Sequence, residues 1–182
     1  MGYWQKRIVC DPVHTQANFT AKHREISIVR GVFTESFGEI ELNSDTEEGL
    51  TFDNMVDCYF GIIANSLSTG NSIRDAHIKS SEFLDVDNFS HIMFHGDSFE
   101  KINDTEYIAY GNLHMIGRVE RVSAKINIVY DENQDIDFFK VTANIKRSDW
   151  NMIIFSDFFM VGDEIEIEVT TEVTTHTQYW EN

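Results

Sequence analysis

Residues 74–85 hold the side chains of this chain that are best suited to chemistry, because Arg74, Asp75 and His77 lie within four positions. On a helix, residues three apart are neighbours, so Arg74 and His77 would converge. Both can hold a polar ligand group by hydrogen bonds, and His77 can also act as a general base with Asp75 or Arg74 as its partner. The structural alternative is that Arg74 and Asp75 pair with each other or with strand ends and fix the helix.

The closest pair of histidines, His91 and His95, has a spacing that suits a metal ion on a helix but not on a strand. Residues i and i+4 of a strand share a face but lie about 13 Å apart, too far to bind one ion together. The intervening Ile92 and Phe94 predict a strand with both histidines on its opposite face. We therefore expect no metal ion and no cofactor.

One helical segment is predicted, over about residues 72–84. A face of that helix combines apolar groups with a histidine and two hydroxyls, at the positions Ile73, Ala76, His77, Ser80, Ser81 and Leu84. Because this segment interrupts a chain patterned almost entirely as strands, we expect it to line or close the wall that the strands form.

A period of two residues, typical of strands with one wet face, dominates the rest of the sequence. Closing such strands into a barrel removes their exposed edges, and a sandwich is the alternative. In the segment from Val32 to Leu42 the bulky positions change from odd to even at Gly38, which predicts a bend there. Eight strands are predicted, at about 10–22, 32–42, 52–65, 91–100, 107–116, 122–130, 139–145 and 164–173, with a hairpin turn at 131–135.

Length and charge restrict the class of protein. A chain of 182 residues fits one domain, 1–182, and a net charge of −17 repels nucleic acid and anionic lipid headgroups. The first residues show no secretory signal and no apolar run is long enough to span a bilayer, so we expect a cytoplasmic protein without an integral membrane segment. The two cysteines, Cys10 and Cys58, are too few for a disulfide framework and are expected to be buried free thiols.

Recognisable motifs run through almost the whole chain. They comprise Asp11-Pro12-x-His14-Thr15, Val29-x-Gly31-x-Phe33, Phe37-Gly38-x-Ile40, Ser66-Leu67-Ser68-Thr69-Gly70, Arg74-Asp75-x-His77-Ile78-Lys79-Ser80-x-x-Phe83-Leu84-Asp85, Ile92-x-Phe94, Gly111-x-Leu113, Arg147-Ser148-Asp149-Trp150 and Val161-Gly162-Asp163-Glu164-Ile165-Glu166-Ile167. In residue type and spacing they resemble the YceI family of lipid-binding, lipocalin-like proteins.

The resemblance implies an all-β protein: an extended, eight-stranded antiparallel barrel around an elongated apolar cavity. In this family the cavity holds a polyisoprenoid or a related long-chain amphiphile such as an isoprenoid quinone. The implied function is non-catalytic binding, sequestration or transport of that ligand by a bacterial protein. Dimers recur in the family, which leaves a homodimer open.

Candidate ligand contacts follow from the inward positions of the predicted strands. The polar headgroup candidates are Arg74 and His77. Two alternatives stay open: an enzyme acting on an isoprenoid headgroup with His77 as general base, and a structural or partner-binding barrel with a filled core. The predicted lipid-binding residues are Phe33, Phe37, Phe94, Leu113, Met115, Ile126, Ile128, Phe139, Val141, Ile165 and Ile167.

Overall fold

Ten strands and one α-helix make up most of the chain that the structure describes. The structure is a computed structural model, and it describes residues 2–23, 27–133, 136–152 and 161–181. The elements are β1 (Tyr3–His23), β2 (Ser27–Phe33), β3 (Ser36–Ser44), β4 (Met55–Ile63), β5 (Leu67–Ser68), α1 (Ser72–Lys79), β6 (His91–Asn103), β7 (Glu106–Met115), β8 (Arg118–Tyr130), β9 (Ile136–Lys146) and β10 (Val161–Trp180).

The strands form one closed antiparallel barrel. Their order is β10, β9, β8, β7, β6, β4, β3 and β1, and pairing of β1 with β10 closes the ring. Strand β3 pairs with the first half of β1 and β2 with its second half, so β2 and β3 are two halves of one bent barrel strand. Strand β5 continues β4 in the same way, because it pairs with β2. The prediction of eight barrel strands is confirmed.

The bend of the second barrel strand lies at Thr34 and Glu35, before the predicted position at Gly38. The backbone N–H groups of Thr34 and Glu35 donate to the carbonyl and the hydroxyl oxygen of Ser66, which stands at the matching break between β4 and β5. From Ser36 onward the even positions are buried. The prediction that Phe37 points inward is therefore wrong, because the register changes four residues earlier than the sequence suggested, and its ring lies over Gly61 on the outer surface.

Helix α1 is shorter than the predicted segment 72–84. It begins after Asn71, whose side chain accepts a hydrogen bond from the Arg74 N–H, and it ends at Lys79, where the Ser80 hydroxyl donates to the His77 carbonyl. Ile73, at the first position of the predicted face, is 82% exposed. A turn follows the helix, and Leu84 in this turn is buried.

The described residues form two hydrophobic clusters in the interior. The lower cluster comprises Ile8, Ile40, Leu42, Phe52, Met55, Cys58, Tyr107, Ala109, Ile126, Ile128 and Phe139. The upper cluster comprises Ala17, Phe33, Ile62, Leu67, Leu84, Leu113, Met115, Ile145, Trp150, Met152 and Val169. Phe94 and Val141 pack against both, so they mark the level at which the two clusters meet.

The helix content bears on membrane insertion. In the described part of the chain, α1 is eight residues long, and no helix there has the length and apolar character needed to cross a bilayer.

Candidate functional site

A cavity of about 620 Å³ occupies the upper half of the barrel. Its walls come from the second half of β1, from β2, from adjacent parts of β4, β5, β6, β7, β9 and β10, and from α1 with the turn that follows. The lining is mostly apolar, as expected for a site that takes a hydrophobic ligand. Ile28 and Ile73 belong to the lining and are 52% and 82% exposed, so they lie where the cavity opens to solvent.

Five of the eleven predicted contact residues line this cavity: Phe33, Leu113, Met115, Ile165 and Ile167. Ile126, Ile128 and Phe139 pack inside the lower cluster. Phe94 and Val141 lie at the boundary between the clusters, and Phe37 lies outside the barrel. That the five lining residues touch a ligand stays a prediction.

The sequence reasoning missed several residues that shape the cavity. On β1, Ala17, Phe19 and Ala21 alternate toward the interior, and the alternation in the sequence was a signal that could have identified them. Ala17 is 1% exposed, and such a small side chain leaves space that a larger residue would fill. The helix and its turn contribute Ile78 and Phe83, for which the strand pattern gave no signal.

Arg74 and Asp75 both bind Thr69, which follows β5 directly. Asp75 Oδ1 accepts hydrogen bonds from the Thr69 N–H at 2.8 Å and from its hydroxyl at 2.5 Å. Arg74 donates from Nε to Thr69 Oγ1 at 2.7 Å and from Nη2 to the Thr69 carbonyl at 3.0 Å. These bonds fix α1 to the barrel wall, in agreement with the structural alternative, and they also hold the Arg74 guanidinium at the cavity.

His77 lines the cavity and forms a pair with Glu82. The His77 Nε2 atom lies 2.6 Å from Glu82 Oε2, and the edge of its ring meets the Phe83 ring with the centroids 4.9 Å apart. The His77 side chain is 20% exposed, whereas that of Glu82 is 73% exposed. The imidazole is therefore held in one orientation by a carboxylate that solvent reaches.

A second arginine, Arg147, also lines the cavity. It donates hydrogen bonds to the carbonyl oxygens of Gly162 at 3.1 Å, Val161 at 3.2 Å and Met152. The neighbouring Ser148 links this turn to β10, because its N–H and its hydroxyl both donate to the Asp163 carboxylate. These bonds lower the pKa of the Asp163 carboxyl.

The charge of the lining differs in sign from that of the chain. Of the described residues that line the cavity, two are arginines and one is a histidine, and none is acidic. Within the described ranges, neither Arg74 nor Arg147 lies at ion-pair distance from a carboxylate. A protein with a net charge of −17 thus presents positive charge to its apolar cavity.

His91 and His95 lie on β6 with exposed side chains, as predicted for the outer face of a strand. His95 Nε2 lies 2.6 Å from Asp57 Oδ1. The described residues contain another imidazole–carboxylate group, at the irregular part of β1 opposite β10. There His14 Nδ1 lies 2.9 Å from Asp11 Oδ2 and 3.4 Å from Glu172 Oε2, and the hydrogen bond from His14 to Asp11 is the largest contribution to a raised pKa of His14.

Sequence comparison identifies relatives along most of the chain. A family model described as a YceI-like domain matches residues 9–173. The UPF0312 protein SAB2563 of Staphylococcus aureus strain bovine RF122 / ET3-1 is 26% identical over 171 residues, which cover 89% of this chain and 94% of the relative. The UPF0312 protein SAUSA300_2620 of Staphylococcus aureus strain USA300 is 24% identical over 169 residues, with the same coverage.

Solved structures share the fold. BcnA of Burkholderia cenocepacia aligns with a TM-score of 0.73 at 15% identity over 91% of this chain and 99% of its own. The YceI protein of Campylobacter jejuni aligns with a TM-score of 0.64 at 21% identity over 88% and 90%. A polyisoprenoid binding domain from Saccharophagus degradans, implicated in plant cell wall breakdown, aligns with a TM-score of 0.66 at 11% identity over 93% and 98%.

Proposed function

Because the chain belongs to the YceI-like family, we propose that it binds a polyisoprenoid or a similar long-chain amphiphile and carries or sequesters it without catalysis. The observation that carries the proposal is the apolar cavity of about 620 Å³ in the upper half of the barrel. The structural neighbour described as a polyisoprenoid binding domain supports a ligand of this kind. A completely filled barrel would have no such space.

The energetics favour a ligand with a tail of several isoprene units. Burial of one methylene contributes about 0.8 kcal/mol, so a five-carbon unit contributes roughly 3–4 kcal/mol before costs. Association costs about 4–15 kcal/mol in lost freedom of motion. One unit is therefore too little for tight binding, whereas a few units exceed the cost.

The polar residues of the lining support an amphiphile with acceptor oxygens in its headgroup. Arg74 uses Nε and one Nη2 hydrogen for Thr69, and a guanidinium carries five N–H donors, so donors of the same group remain for a ligand. A quinone carbonyl or a diphosphate oxygen would accept them, with charge assistance in the second case. His77 lines the same cavity and is the second headgroup candidate.

An enzyme remains the second candidate, because the His77 imidazole is oriented by Glu82 at 2.6 Å beside the cavity. A base of this type would remove a proton from a bound headgroup. Incubation with an isoprenoid diphosphate or a quinone, with intact protein and with His77→Ala, separates the two functions. A product that forms with the intact protein and not with His77→Ala would show that the protein is an enzyme. Full recovery of unchanged ligand supports the carrier function.

The principal test is identification of the bound lipid. Protein purified from its own source is extracted with organic solvent, the extract is analysed by mass spectrometry, and the delipidated protein is then offered geranylgeraniol in neutral vesicles. We expect a long-chain lipid in the extract and stoichiometric uptake. Ala17→Phe fills cavity space and should abolish uptake, whereas Phe37→Ala changes the outer surface and should leave it intact. The proposal is contradicted if the intact protein and Phe37→Ala both fail to take up geranylgeraniol.

The proposal extends to location and assembly. A cytoplasmic carrier is the form that we expect from the sequence, and a homodimer is the assembly that the resemblance leaves open. Light scattering coupled to size-exclusion chromatography at several concentrations measures the mass in solution. A mass of twice 21.1 kDa supports the dimer, and a mass of 21.1 kDa throughout excludes it.

A further inference from the structure

We infer that the filled lower half of this barrel limits the tail to about four isoprene units, an inference that rests on the proposed function. The cavity and the lower cluster share the inside of one barrel but have no residue in common: none of the eleven residues of the lower cluster lines the cavity. The ligand site therefore ends part of the way down the barrel.

Phe94 and Val141 separate the two halves. Both pack against the upper and the lower cluster, and neither lines the cavity. They project from β6 and β9 at positions where Phe94 faces Leu113 and Val141 faces Ile126 on β7 and β8. A tail that entered at the upper end would have to displace this layer before it met the lower cluster.

Below this layer, Phe52 closes the barrel from its lower end. It belongs to a short 3-10 turn, Phe52–Asn54, that precedes β4, and it is 4% exposed. Its ring meets the Phe139 ring at 5.4 Å between centroids and the Tyr107 ring at 5.2 Å, with tilted or edge-on geometry. The next residue of the turn, Asp53, accepts a hydrogen bond of 2.6 Å from the Tyr107 hydroxyl. Phe52 is thus held in place by its rings and by its own turn.

The volume of the cavity sets the length of tail. A water molecule takes about 30 Å³ in the liquid, and a methylene is of similar size. About 620 Å³ therefore accommodates roughly 20 non-hydrogen atoms, or about four five-carbon units. A longer tail has two alternatives: it leaves apolar carbon in water at the mouth, or it displaces the packed lower cluster. In either case, additional isoprene units add no net binding free energy.

The test is a binding series of prenols with two, three, four, six and eight isoprene units, offered to delipidated full-length protein in competition with a fluorescent two-unit analogue. Affinity should rise by about tenfold or more per unit up to about four units, and by less than about threefold in total beyond that. Affinity that keeps rising from four to eight units overturns the limit but not the carrier function. Binding of no prenol at all overturns the carrier function itself.

Variants locate the limit in the residues named. Phe94→Ala opens the layer between the cavity and the lower cluster and should raise the affinity of the six-unit prenol relative to the four-unit prenol by about tenfold or more. Phe94→Leu provides a milder change if the first variant does not fold, with a smaller shift in the same direction. The matched control, Phe37→Ala, removes an identical ring from the outer surface and should leave the ratio unchanged. An unchanged ratio in a folded Phe94 variant contradicts the role of this layer.

Shortening the cavity gives the opposite result. Ala21 lines the cavity and is 4% exposed, so Ala21→Phe places a ring in space that the tail would occupy. We expect the preferred tail to become one unit shorter or more, with binding of the two-unit prenol retained. An unchanged optimum at four units would show that cavity volume does not determine the length.

Discussion

One carboxylate oxygen of Asp75 accepts two hydrogen bonds from Thr69, one from its backbone N–H at 2.8 Å and one from its hydroxyl at 2.5 Å. Thr69 directly follows the short strand β5 and Asp75 lies in the first turn of α1, so this pair connects the barrel wall to the helix over the cavity. The position of the helix beside the cavity depends on these two residues and on Arg74, which binds Thr69 from the same helix.

Removal of the Asp75 carboxylate should destabilise the fold and loosen the cavity wall. Asp75→Ala leaves the half-buried Thr69 N–H without its partner, and we expect a loss of about 1–3 kcal/mol in the free energy of unfolding. Urea denaturation measures this loss, and Asp45→Ala at an exposed position is the control, with a change of less than about 0.5 kcal/mol. Equal stability of the two variants would contradict the role of the pair.

The lower half of the barrel, which is filled, and the upper half, which contains the cavity, should respond differently to truncation of a leucine to alanine. Leu42 is fully buried in the lower cluster, and Leu42→Ala should cost about 2–5 kcal/mol without a direct effect on ligand affinity. Leu113 lines the cavity, so Leu113→Ala should reduce ligand affinity in addition to its effect on stability. Thermal unfolding and prenol binding are measured for both variants. A prenol affinity that falls in fully folded Leu42→Ala but not in Leu113→Ala would contradict the division into two halves.

Stability should depend on pH through His14. Hydrogen bonding to Asp11, and then the charge of Glu172, raise the pKa of His14 above its ordinary value of 6.5. The folded state therefore binds the proton more tightly than the unfolded state. The stabilisation is fully present below about pH 6.5 and is lost as the pH rises through the folded pKa. Proton NMR titration of His14 measures this pKa, and the step in stability should disappear in His14→Gln.

The pKa of Asp11 is shifted in the opposite direction by the same contact. The hydrogen bond from His14, followed by that from the Val13 N–H, lowers the Asp11 pKa below its ordinary value of 3.8. This contribution is present above the unfolded pKa and is lost as the pH falls through the folded one. Acid unfolding should therefore begin at a higher pH in Asp11→Asn than in the intact protein, and an identical acid midpoint would exclude the contact as a source of stability.

The thiols should be poorly reactive in the folded protein. Burial raises the pKa of Cys58 to about 12 and also raises the pKa of Cys10. Cys58 is buried, as expected from the sequence, whereas Cys10 is only partly buried. Since the thiolate is the reactive form, a disulfide reagent at neutral pH should label Cys10 slowly and Cys58 more slowly still. Both should react at once in denaturant, and Cys58→Ser should remove the slower phase.

The barrel could be predicted because apolar and polar residues alternate with a period of two, which is the period of strands and not of helices. Residues 122–130 and 139–145 pair as expected across the turn at 131–135, of which Gln134 and Asp135 lie outside the described residues. The error at Phe37 arose because the bend itself leaves no mark in the sequence. The change to even apolar positions becomes recognisable only further along the strand.

The extent of the cavity could not be predicted. Ile126 and Ile165 both occupy inward positions of alternating strands, yet the first is packed and the second lines the cavity. The difference depends on what lies opposite: Phe52 and Phe139 fill the lower half, whereas Ala17 and Ala21 leave space in the upper half. Such differences arise from residues that are distant in sequence, and a local pattern does not contain them.

The contrast between a positively charged lining and a net charge of −17 has a kinetic consequence. An anionic amphiphile is repelled by the field around the molecule before it reaches Arg74 and Arg147 inside. Added salt screens that outer field over a Debye length of about 10 Å at 0.1 M, whereas the half-buried guanidinium groups of Arg74 and Arg147 are screened less. Uptake of an anionic lipid should therefore become faster as ionic strength rises, and uptake of an uncharged prenol should not.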